Sequence, residues 1–177
     1  MEATDCRCCK HGPVNYRWAG EDIERQDGET LSRAIARWFA SKCANSELGW
    51  GNLDFNRFDK YKQRTEAYIE EKINRIEQGK LTPGSEIVVS ESARKLGIVM
   101  FEFKWERNEF QLKQNKTEHI RHYDAEPEEL AGYVFGLHMH LKDVRIEDDV
   151  VVNQKQDHEM AVAIKFHRQH ENDGWTE

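Results

Sequence analysis

Apolar side chains recur along this chain with two periods, and the change from one to the other divides the sequence. Between Thr30 and Ala44, the residues Leu31, Ala34, Ile35, Trp38 and Phe39 fall three or four apart, with Arg33 and Arg37 on the other side, which predicts an amphipathic helix. Gly49 and Gly51 then flank Trp50 and break the pattern into a loop. A second helix is predicted from about Asp54 to Gln78, where Phe58, Tyr61, Thr65, Tyr68, Ile69, Ile73 and Ile76 form one stripe and Gly79 offers a C-terminal cap.

Pro83 and Gly84 mark a junction, and beyond it the period becomes two. Ser85–Ser90 reads as one strand and Ile98–Trp105 as another, the latter with Val99, Phe101, Phe103 and Trp105 on one face opposite Glu102 and Lys104. A turn at Asn108, a strand over Phe110–Lys113 and another over Thr117–Tyr123 would complete an antiparallel meander. Asp124 followed by Glu126, Pro127, Glu128 and Glu129 has the chemistry of a helix start, with Leu130, Val134, Leu137 and Leu141 as the buried stripe. Val144–Glu147 and Met160–His167 read as closing strands separated by a loop over Asp148–His158. The predicted fold is α+β: two N-terminal helices, then an antiparallel meander with one further helix and closing strands. It forms a single domain made of an irregular arm (1–28, with a short strand over Val14–Trp18), a helical half (29–80), a strand-rich half (84–168) and a frayed tail (169–177).

Charge sharpens the asymmetry. Residues 1–80 carry 14 acidic and 14 basic side chains, whereas residues 81–177 carry 19 acidic against 12 basic, so the whole net charge of −7 resides in the second part. Broad phosphate-backbone binding there is disfavoured, because neutralising phosphates requires Lys and Arg. No apolar run is long enough to span a membrane, and the first residues lack the order of a secretory signal, which together point to a cytoplasmic protein. Four cysteines are too few and too unevenly placed for a disulfide framework.

Candidate chemistry is confined to a few clusters. Cys6, Cys8, Cys9 and His11 crowd three thiols and an imidazole into six residues, the ligand types zinc prefers, although the spacing is not that of a paired Cys-x-x-Cys site. Seven of the eight histidines lie in the second half. On a helix His138 and His140 stand about 200° apart, and on a strand His119 and His122 point to opposite faces, so neither pair chelates by itself. A catalytic centre would combine His119 or His122 with His138 or His167, oriented by Glu102 or Asp124. No P-loop, dinucleotide fingerprint, nucleophile elbow or zinc-protease signature is present, which removes the commonest readable enzyme classes and leaves the cofactor unknown, with zinc the candidate.

Three functions fit these observations. The first is a small acidic interaction module, of inhibitor or immunity type, that docks onto a protein with a basic surface. The second is a zinc-like metal-binding domain or metal-dependent enzyme using histidines of the second half. The third is nucleic-acid binding through Arg33 and Arg37 on the helical half, disfavoured by the balanced charge there. Trp50, between two glycines, is a candidate interface anchor.

Overall fold

A computed structural model of the chain describes residues 2–114, 116–142 and 149–175. The fold is α+β. Among the described residues, strands β1 (Asn15–Trp18), β2 (Ile87–Val89), β3 (Met100–Glu109), β4 (Lys116–Ala125) and β5 (Tyr133–Lys142) form one mixed sheet in the order β1-β5-β4-β3-β2. The meander is antiparallel where β2 meets β3 and β4 meets β5, while β1 adds to the far edge parallel to β5. Helices α1 (Leu31–Gly49), α2 (Phe58–Glu77), α3 (Glu91–Arg94) and α4 (Asp149–Asn172) complete the described elements.

The two N-terminal helices lie where the pattern places them. Thr30 caps α1 by accepting the Arg33 N–H at 3.3 Å, and Ala34, Ile35, Phe39, Ala40 and Cys43 are buried along it. In α2 the buried positions are Tyr61, Thr65, Ile69, Ile73 and Ile76, and Gly79 takes a positive φ of 64° just beyond the helix.

Four expectations are corrected. The segment after Asp124 is not a helix: Asp124 and Ala125 end β4, a short turn follows, and Tyr133–Lys142 is the strand β5. Val134 through Met139 are all buried, so β5 has no polar face and hence no period of two in its sequence. Second, Met160–His167 is not a strand but part of the 24-residue helix α4, which also replaces the loop expected up to His158. Among the described residues of α4, Met160, Ala163, Ile164 and His167 are buried, at helical spacing. Third, β3 runs straight through Asn108 to Glu109, and residues 111–114 form bends rather than a strand. Fourth, the described part of the tail does not fray, and the arm, irregular as expected, is held in place. Its residues Ala3–Asp5 and Arg7–Cys9 make 3-10 turns, and the Arg7 guanidinium donates to the carbonyls of Pro127, Leu130 and Tyr133 at 2.9, 3.0 and 2.7 Å. The tail is tied down as far as Trp175, which is buried against Phe135. The strand expected over Val144–Glu147 lies outside the described residues.

By its internal contacts the chain forms two compact units, and the division does not fall at Pro83–Gly84. One comprises Met1–Glu21, Arg75–Trp105 and His119–Glu177; the other comprises Asp22–Asn74 and Glu106–Glu118. In the first, α4 covers β5 with a core that includes Met100, Tyr123, Phe135, Leu137, Met160, Ala163 and Ile164.

Candidate metal centre

The register of β4 and β5 slips between Tyr123 and Asp124. Tyr123 stands opposite His138 and Asp124 opposite Gly136, which leaves Leu137 as an extra residue on β5. The bulge allows Leu137 to join the core under α4 while His138, the next residue, also reaches that helix. His140 follows at the two-residue repeat of a strand, and its ring lies 5.9 Å from that of His138. Tyr123 stacks on both rings, at 6.5 Å from His138 and 5.8 Å from His140.

Glu159 completes the group from α4, a helical turn from the buried Ile164 and Ala163. His138 Nε2 lies 2.5 Å from Glu159 Oε2. That hydrogen bond holds the Glu159 carboxyl below its usual range despite burial, so Glu159 is the ionised member of the pair. Burial pushes His140 down to about 4, leaving a neutral ring whose lone pair is available. One ligand atom from each of His138, His140 and Glu159 lies within 4.8 Å of the others. Donor atoms on one tetrahedral zinc stand roughly 3.3 Å apart, so an ion between His138 and Glu159 would part that 2.5 Å pair by under an ångström. The Nδ1 atoms of His138 and His140 are buried without a hydrogen-bond partner among the described residues. Arg121, opposite His140 in the register, is a competing cation, and Glu102 pairs with it at 3.0 Å.

His122 and Asp124 alternate with Tyr123 along β4, and they are sealed completely. His122 is ringed by Tyr16, Trp18, Phe103 and Trp105, with centroids 5.2–6.0 Å away, and its Nε2 shares a hydrogen bond of 3.0 Å with the Tyr16 hydroxyl. Gly136 makes that bond possible, because a Cβ there would collide with the hydroxyl and come within 2.8 Å of the His122 Nε2. Asp124 Oδ2 lies 3.5 Å from the same nitrogen. Burial drives both partners to neutrality, holding His122 down to about 3 and raising Asp124 well above the carboxylate range.

A third cluster joins the N-terminal arm to the end of β4. Cys6 Sγ lies 3.0 Å and Cys8 Sγ 3.9 Å from Glu126 Oε1, and both thiols are fully buried. Both Glu126 oxygens also accept the Arg7 backbone N–H at 2.9 Å.

No protein-family model, characterised protein or solved structure matches the chain. Function is therefore argued from these sites alone.

Of the candidate catalytic residues, the fold brings His122 and Asp124 together and places His138 with His140 and Glu159, which the sequence had not combined. Glu102 serves Arg121, His119 stands opposite Lys142, and His167 packs edge-on against Trp175. Of the arm residues, Cys6 and Cys8 converge, whereas the Cys9 thiol faces the Cys6 carbonyl at 3.0 Å and the His11 N–H donates to the Gly79 carbonyl. Arg37 makes a two-pronged pair with Glu29, and Arg33 lies 3.9 Å from Glu66, so each is matched by a carboxylate. Trp50 carries the Lys116 ammonium over its ring at 5.9 Å. The residues missed by sequence reasoning are His140, Glu159 and Glu126. His-x-His would have been a signal for the first, had the segment been read as a strand.

Proposed function

We propose that this protein is a metal-binding domain that holds a divalent transition-metal ion through His138, His140 and Glu159. The observation that carries the reading is the convergence of two imidazoles and one carboxylate, from two elements, within 4.8 Å. Imidazole and carboxylate together suit zinc or ferrous iron better than calcium or magnesium. A β-bulge and a stacked tyrosine orient the histidines, which is the kind of support that fixes ligand geometry. The ion would take the place of the proton shared by His138 and Glu159. Three protein ligands leave at least one position for water, the arrangement of catalytic rather than structural zinc sites, and Glu159 is about a third exposed, which gives access. Such a water, acidified by the ion, is a nucleophile near neutral pH, so metal-assisted hydrolysis is the reaction class this geometry would serve.

Calorimetric titration of tag-free, chelator-stripped protein with zinc or cobalt tests the reading. His140→Ala and Glu159→Gln should each weaken one binding event by more than the roughly 10–100-fold that loss of an outer partner costs. Equal binding by wild type and both variants, or none at all, rejects it.

A second reading is favoured by a cleft of about 210 Å³ on the same unit, lined by Glu128, Glu129, Glu171, Trp175, His167 and Ile98. His167 is nearly buried there, and its Nδ1 has no hydrogen-bond partner among the described residues. The cleft is smaller than a drug-sized pocket and suits one basic side chain of a partner protein, its charge met by glutamates and its stem by tryptophan. Fluorescence of Trp175 on titration with a lysine- or arginine-bearing peptide tests it. A salt-insensitive response, or none, counts against it.

A further inference from the structure

The N-terminal arm carries a second arrangement, independent of the histidine centre in residues and in ligand chemistry. Cys6 and Cys8 are separated by one residue within two consecutive 3-10 turns, so their side chains return to the same place, and Glu126 comes to meet them from beyond the end of β4. One ligand atom from each lies within 4.8 Å of the others. We infer that Cys6, Cys8 and Glu126 form a thiolate-rich site for a soft divalent cation such as zinc or cadmium, which fastens the arm to the sheet.

Distances support a coordination site as well as they support thiol hydrogen bonds. With bonds of about 2.3 Å to sulfur and about 2.1 Å to oxygen, a tetrahedral zinc holds sulfur and carboxylate oxygen roughly 3.6 Å apart. The observed separations, 3.0 and 3.9 Å, bracket that value. The surroundings match an outer shell: both Glu126 oxygens are fixed by the Arg7 N–H, and the Cys8 carbonyl accepts the Leu81 N–H at 2.9 Å. The same residues pin the arm whether or not an ion is bound, so the site is formed in advance.

A buried carboxyl without hydrogen bonds lies close by in sequence. Asp124, two residues before Glu126, is fully buried with neither carboxyl oxygen hydrogen-bonded among the described residues. Buried polar atoms are satisfied in the great majority of cases, so an orphan carboxyl asks for a partner, and a cation supplies one. The Arg7 guanidinium, 3.8 Å from Glu126, opposes a cation by one charge, against up to three negative ligands. An ion has a way in, since Glu126 also lines the acidic cleft described above.

Full-length protein with reduced thiols, titrated with cobalt and then cadmium, separates this site from the histidine centre. The expected result is a sulfur-to-metal charge-transfer band that saturates at one equivalent, is lost in Cys6→Ser and in Cys8→Ser, and persists in His140→Ala. If the band is absent although the thiols titrate as free, or if it survives both serine variants, the inference is overturned. Cadmium NMR of the unmutated protein removes the risk that a variant fails to fold: a resonance typical of two-sulfur ligation supports the site, and one typical of oxygen and nitrogen alone rejects it. Absence of any His140-dependent binding event, with the thiolate band intact, would reject the proposed function and leave this inference standing.

Discussion

His122 is held as a neutral ring by its surroundings, and that has a measurable consequence. Four aromatic rings exclude water from it, and its charged form has no carboxylate to rely on, because Asp124 is itself kept protonated by burial. Burial, with a smaller contribution from the His138 charge, lowers its pKa to about 3 from an ordinary 6.5. The unfolded chain therefore takes up the proton first. The stability that His122 contributes is complete above pH 6.5 and is lost as the pH falls from 6.5 towards 3, by on the order of 1.4 kcal/mol per pH unit at most. Asp124 acts in the opposite sense, since its raised pKa makes the fold gain on acidification. Comparing wild type with His122→Gln cancels that effect. Urea denaturation between pH 7 and pH 4 should show a steeper loss for the wild type, and equal slopes would mean that His122 is not held neutral.

At the scale of elements, β3 shows how a strand can carry charge inward. Arg107 and Glu109 occupy the buried positions that follow Phe101, Phe103 and Trp105. Arg107 donates to Glu118 at 2.6 and 2.7 Å and to the Thr65 hydroxyl at 2.6 Å, while Tyr61 donates to the other Glu118 oxygen at 2.6 Å. Lys116 meets the buried Glu47 at 2.8 Å. Removing one member of such a network strands the others without water, so Arg107→Met should cost about 3–5 kcal/mol in denaturant, and adding Glu118→Gln should recover part of that loss. Strictly additive costs would show that the two are not coupled. This network also explains why the end of β3 was not legible: inward Arg and Glu look like a turn unless their partners on other segments are known. The two helices were legible because each has one polar face. β5 was not, because a strand buried on both sides has no alternation, although Gly136 within a supposed helix was a contrary signal. Over Met160–Phe166 the alternation Met-Ala-Val-Ala-Ile-Lys-Phe fits a strand and a helix about equally, and packing on β5 decides for the helix. The candidate centre followed from these errors. His138 and His140 point apart on a helix but together on a strand, so their convergence was hidden under the wrong period. Cys6 and Cys8 were legible by residue type, whereas Glu126, 120 positions after Cys6, was not.

For the whole molecule, charge and ligation point the same way. The excess of 19 acidic over 12 basic residues lies in 81–177, the segment that also supplies Glu126, His138, His140 and Glu159. A negative field concentrates cations near the protein before any ligand is engaged. Both candidate centres belong to the same compact unit, and each ties together elements that separate on unfolding: the arm with β4, and β5 with α4. An ion that binds the fold and not the unfolded chain stabilises it by RT ln(1 + [L]/Kd), about 2.7 kcal/mol at a hundredfold excess over Kd. For a chain of this size that raises the melting midpoint by roughly 5–10 °C per site. Weak binding by exposed Cys and His in the unfolded chain would lower the gain without reversing it. Melting in zinc and again after EDTA should therefore show a reversible rise, with His140→Ala and Cys8→Ser each removing a share and the double variant nearly all of it. A rise of equal size in the double variant would place the stabilising ion elsewhere on the protein, and the absence of any rise would reject both centres together.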